Sequence, residues 1–184
     1  EDGVLNVAFG LGKTVVEGGR TLRVDPKQPR KILQLSSPKL AMRDTQNEMY
    51  VLDSRPGSFK ISRNDGINLR RISITEALEN YDHPELVAST YIAQDDRMQT
   101  GVNSRGPRVI SFDGIFQYDR FPLAKAMSEI MEICRSELMG EAELEFALDL
   151  VKGSNGKEAV LELLQVRPVS SGPELKTSSI FSFR

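Results

Sequence analysis

Two segments near the end of the chain, residues 141–150 and 161–169, constrain its fold more than any other part of the sequence. The first reads EAELEFALDL, and its polar and apolar residues alternate. The second reads LELLQVRPV and is mostly apolar. Alternation with a period of two is typical of a strand that buries one face. Residues 151–159, which follow the first segment, are rich in turn formers, so the two segments are predicted to form a β-hairpin.

The polar side chains of this hairpin suit the binding of a metal ion and a phosphate group. Glu143, Glu145 and Asp149 share one face of the first strand, and Gln165 and Arg167 share one face of the second. Carboxylate and carbonyl oxygens are ligands of Mg²⁺. The planar, permanently charged guanidinium group of arginine binds phosphate oxygens. If the two polar faces coincide, the hairpin is predicted to carry a combined metal and phosphate site.

Whether the two polar faces coincide depends on the length of the hairpin loop. Pairing Glu145 with Gln165 places Glu143 opposite Arg167, and this requires an odd-length loop, such as residues 154–156, or a β-bulge. A two-residue turn would instead place the glutamine and the arginine on the face away from the glutamates. We predict the odd-length loop. The alternative interpretation of these residues is a solvated sheet face with cross-strand ion pairs.

The composition is that of an ordinary globular protein. Of the 184 residues, 39% are hydrophobic and 27% are charged, and the net charge is −2. The chain lacks the basic footprint of a nucleic-acid-binding protein, and no apolar run approaches the roughly 20 residues that span a bilayer. Its first residues lack the features of a signal peptide, and its single cysteine excludes an internal disulfide. These features predict a cytoplasmic location without nucleic-acid or membrane partners.

Three other features invite a catalytic interpretation, and the sequence argues against each. The GKT at residues 12–14 is not a P-loop, because the glycine that this motif needs five residues earlier is replaced by Val7. A glycine-framed turn into a short helix, with Lys13 solvated, is predicted instead. His83 is the only histidine, and because it precedes a proline it is expected in a surface loop. Cys134 lies in an apolar helix stripe and is interpreted as a buried hydrophobe.

The order of the predicted elements indicates an α+β fold with a mainly antiparallel sheet and packed helices. The clearest helix covers residues 122–139, where apolar residues recur at three- and four-residue spacing before Gly140. Apart from the hairpin, strands are predicted at residues 21–24, 30–35, 49–53, 58–62, 69–73 and 108–116, the last with a bulge at Gly114.

The remaining segments carry weaker signals. Ser73 is expected to cap a short helix that ends near Asn80, because Glu76 follows at the capping-box spacing. Residues 36–47 are expected to be irregular, and residues 85–101 fit a helix and a strand equally well. Residues 171–184 are polar at first and are interpreted as a tail or linker.

Three short motifs follow one another along the chain: GLGKTVVEG at residues 10–18, ELEFAL at residues 143–148 and LQVRP at residues 164–168. In order and approximate spacing they resemble the nucleotide-binding domain of the phosphoenolpyruvate synthase and pyruvate, phosphate dikinase family. The resemblance implies that residues 1–170 are the C-terminal portion of an ATP-grasp domain. Residues 30–100 do not share it and are interpreted as a family-specific insertion.

The resemblance also implies an activity and a set of site residues. Proteins of this family clamp ATP between two lobes and pass a phosphoryl group to a histidine on a swivelling domain, which interconverts pyruvate and phosphoenolpyruvate. The cofactors would be ATP and Mg²⁺, with Glu145 and Gln165 holding the metal. Arg167 would contact the phosphates as the catalytic residue, and Glu143 would lie beside them.

Several family features are missing from the sequence. The first ATP-grasp lobe and the phosphohistidine domain are therefore expected in other parts of a longer protein, as partners of this chain. By itself the chain is expected to hold about half of an ATP site, to bind MgATP weakly and to be inactive. Lys13 stands where many relatives carry an acidic residue, so no family role is assigned to it.

Two further functions remain open from the sequence. One is a non-catalytic binding or regulatory module that keeps the scaffold. The other is a carboxylate–amine ligase of the wider ATP-grasp type. A lysine- and arginine-bearing lobe before Glu1 would favour an active nucleotide site, and a histidine domain after the chain would favour the dikinase over the ligase.

Overall fold

The computed structural model describes residues 3–64, 66–153, 156–169 and 179–183, with only the backbone described at 151–153, 156–158 and 179–183. The helices are α1 (Lys13–Val16), α2 (Pro38–Asp44), α3 (Ile74–Glu79), α4 (Pro84–Val87), α5 (Asp113–Phe116) and α6 (Leu123–Leu138), with a 3₁₀ turn at Leu33–Leu35. The strands are β1 (Leu5–Val7), β2 (Leu22–Val24), β3 (Glu48–Leu52), β4 (Leu69–Ser73), β5 (Ala88–Ile92), β6 (Arg97–Thr100), β7 (Arg108–Ile110), β8 (Ala142–Gly153), β9 (Gly156–Pro168) and β10 (Ser179–Phe183).

The described strands form three sheets. The largest has five strands in the order β2-β1-β10-β8-β9, and the others are the hairpin β3-β4 and the three-stranded sheet β6-β5-β7. Strand β10 pairs in parallel with both β1 and β8, and all other described pairings are antiparallel. The predicted α+β class with mainly antiparallel sheets is confirmed.

One apolar cluster joins α6 to the large sheet. Leu123 and Met127 on the buried stripe of α6 belong to the same cluster as Leu144, Phe146 and Leu148, which alternate along one face of β8. Each of these side chains is almost fully buried. The helix predicted at 122–139 is therefore confirmed to within one residue at each end. The hydrophobic stripe of the helix and the alternating strand bury each other.

Local signals also located several smaller elements. Strands β2, β3 and β4 lie within one residue of the predicted segments. Ser73 caps α3 as predicted, since its hydroxyl accepts a hydrogen bond of 3.1 Å from the backbone N–H of Glu76. Cys134 is half-buried and packs against the core cluster. In these places the structure agrees with the short-range pattern.

The prediction is wrong between residues 30 and 47. The strand expected at 30–35 is an irregular segment with a 3₁₀ turn, because the Gln34 amide bonds to the backbone of Thr21 and Asp44 and holds the segment by side-chain contacts. The segment expected to be irregular contains α2. Its start carries a local helix signal: Ser37 accepts a hydrogen bond from the N–H of Leu40, with a proline at the first helical position.

The strand expected at 58–62 is absent from the described residues there. Phe59 and Ile61 are exposed, so this stretch buries no apolar face. The Asn68 side chain both donates to and accepts from the backbone of Lys60, at 2.8 Å each. Those backbone groups are thereby satisfied without a neighbouring strand.

The tail interpretation is also wrong for residues 179–183. They form β10, which lies between β1 and β8 inside the large sheet. The pairing partners of this strand lie far away along the chain. No local pattern indicates such a position, since it depends on long-range pairing.

The strand expected at 108–116 ends at Ile110 and gives way to α5. Gly114 does not form a bulge. It lies in α5 at a close approach to α4, where an added Cβ would come within 2.6 Å of the Leu86 Cα atom and 3.0 Å of the Glu85 carbonyl oxygen. The glycine therefore allows the two short helices to pack against each other.

We expect Gly114→Ala to lower the free energy of unfolding by about 1–3 kcal/mol, because backbone atoms must move to admit the methyl group. Urea unfolding followed by circular dichroism would measure the change. Gly140→Ala is the matched control, since its nearest neighbouring atom would lie 3.9 Å away. Equal stability of the two variants would contradict the close packing of α4 on α5.

The pH dependence of the free energy of unfolding tests the packing of Tyr81 in the core. Its ring packs edge-on against Phe9 at 4.8 Å between centroids, and its hydroxyl group is buried without a hydrogen-bond partner among the described residues. Burial, with help from the charges of Glu85, Asp149 and Asp82, raises the pKa of Tyr81 to about 12. The neutral phenol is thus favoured in the folded chain.

A pKa raised on folding stabilises the fold below the ordinary tyrosine pKa of about 10, and this contribution is lost as the pH rises towards 12. We expect Tyr81→Phe to be neutral or stabilising by up to about 1 kcal/mol at pH 7, because it removes an unpaired buried hydroxyl group. Its free energy of unfolding should also fall less steeply above pH 10 than that of the wild type. Denaturant unfolding across this pH range measures both effects. A marked destabilisation at pH 7 would show that the hydroxyl group has a partner.

Candidate functional site

The hairpin β8–β9 has a shorter connection than predicted. Its last described pair is Gly153 with Gly156, so two residues connect the strands, and these lie outside the described residues. The expected odd-length loop is wrong. The other solution, a β-bulge, is present instead. Glu145 pairs with Gln165 whereas the next residue, Phe146, pairs with Leu163, which leaves Leu164 as the extra residue.

The bulge decides which side chains share a face of the sheet. On the loop side of Leu164, the odd-numbered Leu161 and Leu163 lie opposite the buried Leu148 and Phe146. Beyond it, the odd-numbered Gln165 and Arg167 lie opposite Glu145 and Glu143. A regular strand would place all these odd-numbered residues on one face. The extra residue keeps the two leucines on the face of Phe146 and Leu148, and it places Gln165 and Arg167 on the face of the glutamates.

Glu143 and Arg167 form an ion pair across the two strands. The arginine Nε and Nη2 atoms lie 2.9 Å and 2.8 Å from the same carboxylate oxygen, Oε2 of Glu143. The Glu143 side chain is only 5% exposed, whereas the Arg167 side chain is 50% exposed. The hydrogen bond to Glu143, and then the nearby carboxylate charges, raise the pKa of Arg167 above its ordinary value. The guanidinium group is thus held in place while part of it faces solvent.

The second carboxylate oxygen of Glu143 is an orphan. Oε1 is buried and has no hydrogen-bond partner among the described residues. Buried carboxylate oxygens are normally satisfied, so an unpaired one calls for an explanation such as a bound ligand.

Glu145 and Gln165 form the next pair along the hairpin. Glu145 is half-buried and Gln165 is exposed, and because the two residues are paired, their side chains lie on the same face of the sheet. In the described part of the chain, no cluster of three or more histidine, cysteine or acidic residues could hold a metal. Two oxygen ligands nevertheless suit Mg²⁺, which is commonly held by one or two protein groups together with water and substrate phosphates.

Asn6 lies in the same row of the sheet and was missed from the sequence. Strand β10 lies between Asn6 and Glu145, since its residue 180 pairs with Asn6 on one side and with Glu145 on the other. Paired residues of neighbouring strands point to the same face. The Asn6 side chain is buried, unlike most asparagines. The sequence signal for Asn6 is that it is a polar residue within the apolar run VLNVAF.

The glycine element forms the predicted turn into a short helix, α1. Gly10 has a positive φ of 95°, and a Cβ at this position would meet the Met49 side chain at 2.5 Å. Both the backbone conformation and the close contact explain why glycine is present here.

Lys13 is not simply solvated as expected. Its ammonium group lies 2.6 Å from Glu17 and 5.5 Å from the centre of the Tyr50 ring, and Tyr50 donates a hydrogen bond of 2.7 Å to Glu17. Hydrogen bonds from Lys13 and then Tyr50 lower the pKa of Glu17. Arg71 lies 5.2 Å from the centre of the same ring. Lys13 therefore helps to attach α1 to the hairpin β3–β4.

His83 is at the N-terminal end of α4, where its ring lies 6.3 Å from that of Tyr81 and 3.9 Å from the Glu85 carboxylate. Its side chain is only 17% exposed, so it is more buried than the expected surface loop residue. These contacts with Tyr81 and Glu85 fit a structural role for His83. The described contacts of His83 do not include the polar residues of the hairpin.

Comparisons of the chain with protein-family models, with curated proteins and with solved structures find no match. Within the part of the chain that the structure describes, no helix combines the length and the apolar character needed to cross a bilayer. Any functional interpretation therefore depends on the residues of the site.

Proposed function

We propose that the hairpin β8–β9 forms the Mg²⁺- and phosphate-binding wall of the ATP site in an ATP-dependent phosphotransferase similar to phosphoenolpyruvate synthase. The observation that carries this proposal is the bulged register, which pairs Glu145 with Gln165 and Glu143 with Arg167 on one face. Those are the positions that the motifs ELEFAL and LQVRP suggest for nucleotide binding.

Each residue has a distinct role in this proposal. Glu145 and Gln165 supply oxygen ligands to Mg²⁺, which neutralises charge on the ATP phosphates when it is bound. Arg167 binds phosphate oxygens with the part of its guanidinium group that faces solvent. Glu143 positions that group through its two contacts to Nε and Nη2. Phosphoryl transfer depends mainly on such positioning and charge stabilisation.

The rest of the reaction would use other parts of a longer protein. A preceding lobe would supply lysine and arginine contacts to the phosphates, and a histidine on a separate domain would accept the phosphoryl group. Pyruvate or a similar small molecule would be the final acceptor. An ATP site of this kind fits a cytoplasmic protein.

Paramagnetic broadening in NMR tests the proposed site directly and tolerates weak binding. Mn²⁺ prefers the same oxygen ligands as Mg²⁺. Adding a small amount of MnATP to the ¹⁵N-labelled chain should broaden the amide signals around Glu145 and Gln165 before those of α6. Glu145→Ala should abolish the selective broadening. The control Glu129→Ala removes an exposed carboxylate from α6 and should leave the broadening intact. Equal broadening in wild type and Glu145→Ala would contradict the site.

A further inference from the structure

A second polar network lies in the three-stranded sheet, away from the residues of the hairpin. The Ser89 hydroxyl on β5 donates a hydrogen bond of 2.6 Å to Oδ2 of Asp113 at the start of α5, and the Thr100 hydroxyl on β6 donates to the same oxygen at 3.1 Å. Ser111 lies 2.7 Å from Ser89, oxygen to oxygen. Ser89 and Ser111 are almost completely buried. Two elements of the sheet therefore hold one carboxylate oxygen.

The backbone before this carboxylate is strained. Phe112 has a φ of 50° and a ψ of 29°, in the left-handed region, and its side chain is fully buried. This conformation costs a non-glycine residue about 1–2 kcal/mol. Strained residues are concentrated at functional sites, where the surrounding structure holds them. The left-handed residue ends the extended chain after β7 and places Asp113 at the first position of α5.

The carboxylate of Asp113 lines an open groove. The groove has a volume of about 440 Å³, and residues 29–33, 35 and 36 also line it. Oδ2 of Asp113 takes both hydrogen bonds described above, whereas Oδ1 accepts none from the residues that the structure describes. One carboxylate oxygen is thus fixed by the protein, and the other has no hydrogen-bond donor among the described residues.

The groove also carries positive charge. Arg30 and Lys31 line the same groove. Arg30 makes no ion pair or hydrogen bond through its side chain in the described part of the chain, and the Lys31 ammonium group bonds only to the neutral Gln28 amide, at 2.8 Å. Neither cation lies within ion-pair distance of Asp113. Opposite charges that share a groove without pairing leave room for a ligand that carries both.

The groove also has an apolar part. Leu33, Leu35, Phe116 and Tyr118 line it beside the charged residues, and the Leu33 side chain is largely exposed. Small-molecule sites commonly combine an apolar wall with a few well-placed polar groups. An apolar ligand side chain would cover this surface.

We propose that this groove binds a small zwitterion of the α-amino-acid class with an apolar side chain. The ligand ammonium group contacts Oδ1 of Asp113, and the ligand carboxylate contacts the Arg30 guanidinium, with the Lys31 ammonium beside it. The side chain packs against Leu33 and Tyr118. This site does not involve the hairpin and does not depend on its proposed nucleotide chemistry.

L-Leucine is the probe for this proposal, with two analogues that each lack one charge. We expect saturable chemical-shift changes at Thr100, Asp113 and Arg30 in the ¹⁵N-labelled chain as L-leucine is added. 3-Methylbutylamine lacks the carboxylate and 4-methylpentanoate lacks the ammonium group. Each should bind at least tenfold more weakly than L-leucine, because a tenfold change corresponds to about 1.4 kcal/mol, the order of one charged contact.

Two substitutions assign the contacts. Asp113→Asn keeps an oxygen that accepts from Ser89 and Thr100 but removes the negative charge, and Arg30→Gln removes an exposed cation. Each should weaken L-leucine binding at least tenfold, whereas the control Arg63→Gln, at an exposed arginine outside the groove, should not. If Asp113→Asn fails to fold, Arg30→Gln and the two analogues still test the proposed binding of the zwitterion.

Three results would overturn the proposal. The first is the absence of saturable shifts with L-leucine up to about 50 mM. A dissociation constant above that value would be too weak for a ligand held by two charged contacts. The second is equal binding of L-leucine and 4-methylpentanoate, which would indicate an anion site without a role for Asp113. The third is unchanged binding in the Arg30→Gln variant.

Discussion

The proposed function predicts that replacing Glu145 or Arg167 by alanine in the proposed longer protein reduces ATP-dependent phosphorylation of the proposed acceptor histidine at least about 10³-fold. Glu145→Ala removes a proposed ligand of the metal that neutralises phosphate charge. Arg167→Ala removes a half-exposed guanidinium group that Glu143 holds towards the proposed phosphate position. Incubation with MgATP followed by mass-spectrometric detection of phosphohistidine would measure the loss.

Matched controls separate this effect from general loss of charge. Glu129→Ala and Arg63→Ala remove the same two residue types from exposed positions elsewhere and should retain activity. Circular dichroism should show that each variant remains folded. Full activity in both Glu145→Ala and Arg167→Ala would refute the assignment of the site.

The same assay distinguishes the proposed activity from the two alternatives. A carboxylate–amine ligase would consume ATP without forming phosphohistidine. A non-catalytic module would leave ATP unchanged even in the wild type. Either result would replace the proposed reaction, and the MnATP experiment would still show whether the hairpin binds a nucleotide.

Arg167→Ala is expected to have the largest effect on stability, because it removes the ion-pair partner of the buried Glu143 carboxylate. Glu143 is only 4% exposed, and its other oxygen has no hydrogen-bond partner among the residues that the structure describes. Removing one partner of a fully buried pair costs about 3–5 kcal/mol, and the half-exposed position of the arginine reduces this, so we expect the unpaired Glu143 to cost about 2–3 kcal/mol. Urea unfolding at pH 7 would measure the change.

A second substitution tests the cause of this loss. Glu143→Gln in the Arg167→Ala background removes the unpaired charge, so the double variant should be more stable than Arg167→Ala alone. The single variant Glu143→Gln should bring a smaller loss than Arg167→Ala. If Arg167→Ala is as stable as the control Arg63→Ala, the ion pair contributes nothing and Glu143 is not isolated from water.

Short-range patterns in the sequence were sufficient for the elements that bury one regular face. Helix α6 and strand β8 follow directly from apolar spacing, because that spacing matches the geometry of the helix and of the strand. The cap at Ser73 follows from a local hydrogen bond to the Glu76 backbone. The pattern also indicated Glu143, Glu145, Gln165 and Arg167 as candidate site residues, since each is a polar residue within a largely apolar strand.

The polar network of Asp113 could not be found in the same way. Ser89, Thr100 and Asp113 are separated along the chain and meet only when β5, β6 and α5 pack together. Their residue types are common in loops and turns, so no spacing signals a site. The left-handed conformation of Phe112 is likewise invisible in the sequence, because phenylalanine has no local preference for it.

The hairpin shows most clearly what the sequence by itself determined and what only the tertiary structure decided. Alternation along β8 and the LQVRP motif determined which residues are polar and where the two strands lie. Only the folded chain decided that they share a face, because a two-residue connection and an extra residue at Leu164 together set the pairing of Glu145 with Gln165. The physical reason is the two-residue period of a strand: one additional residue reverses the direction of every side chain beyond it. Packing of Leu161 against the core cluster stabilises the register on one side of the bulge, and the ion pair of Glu143 with Arg167 stabilises it on the other.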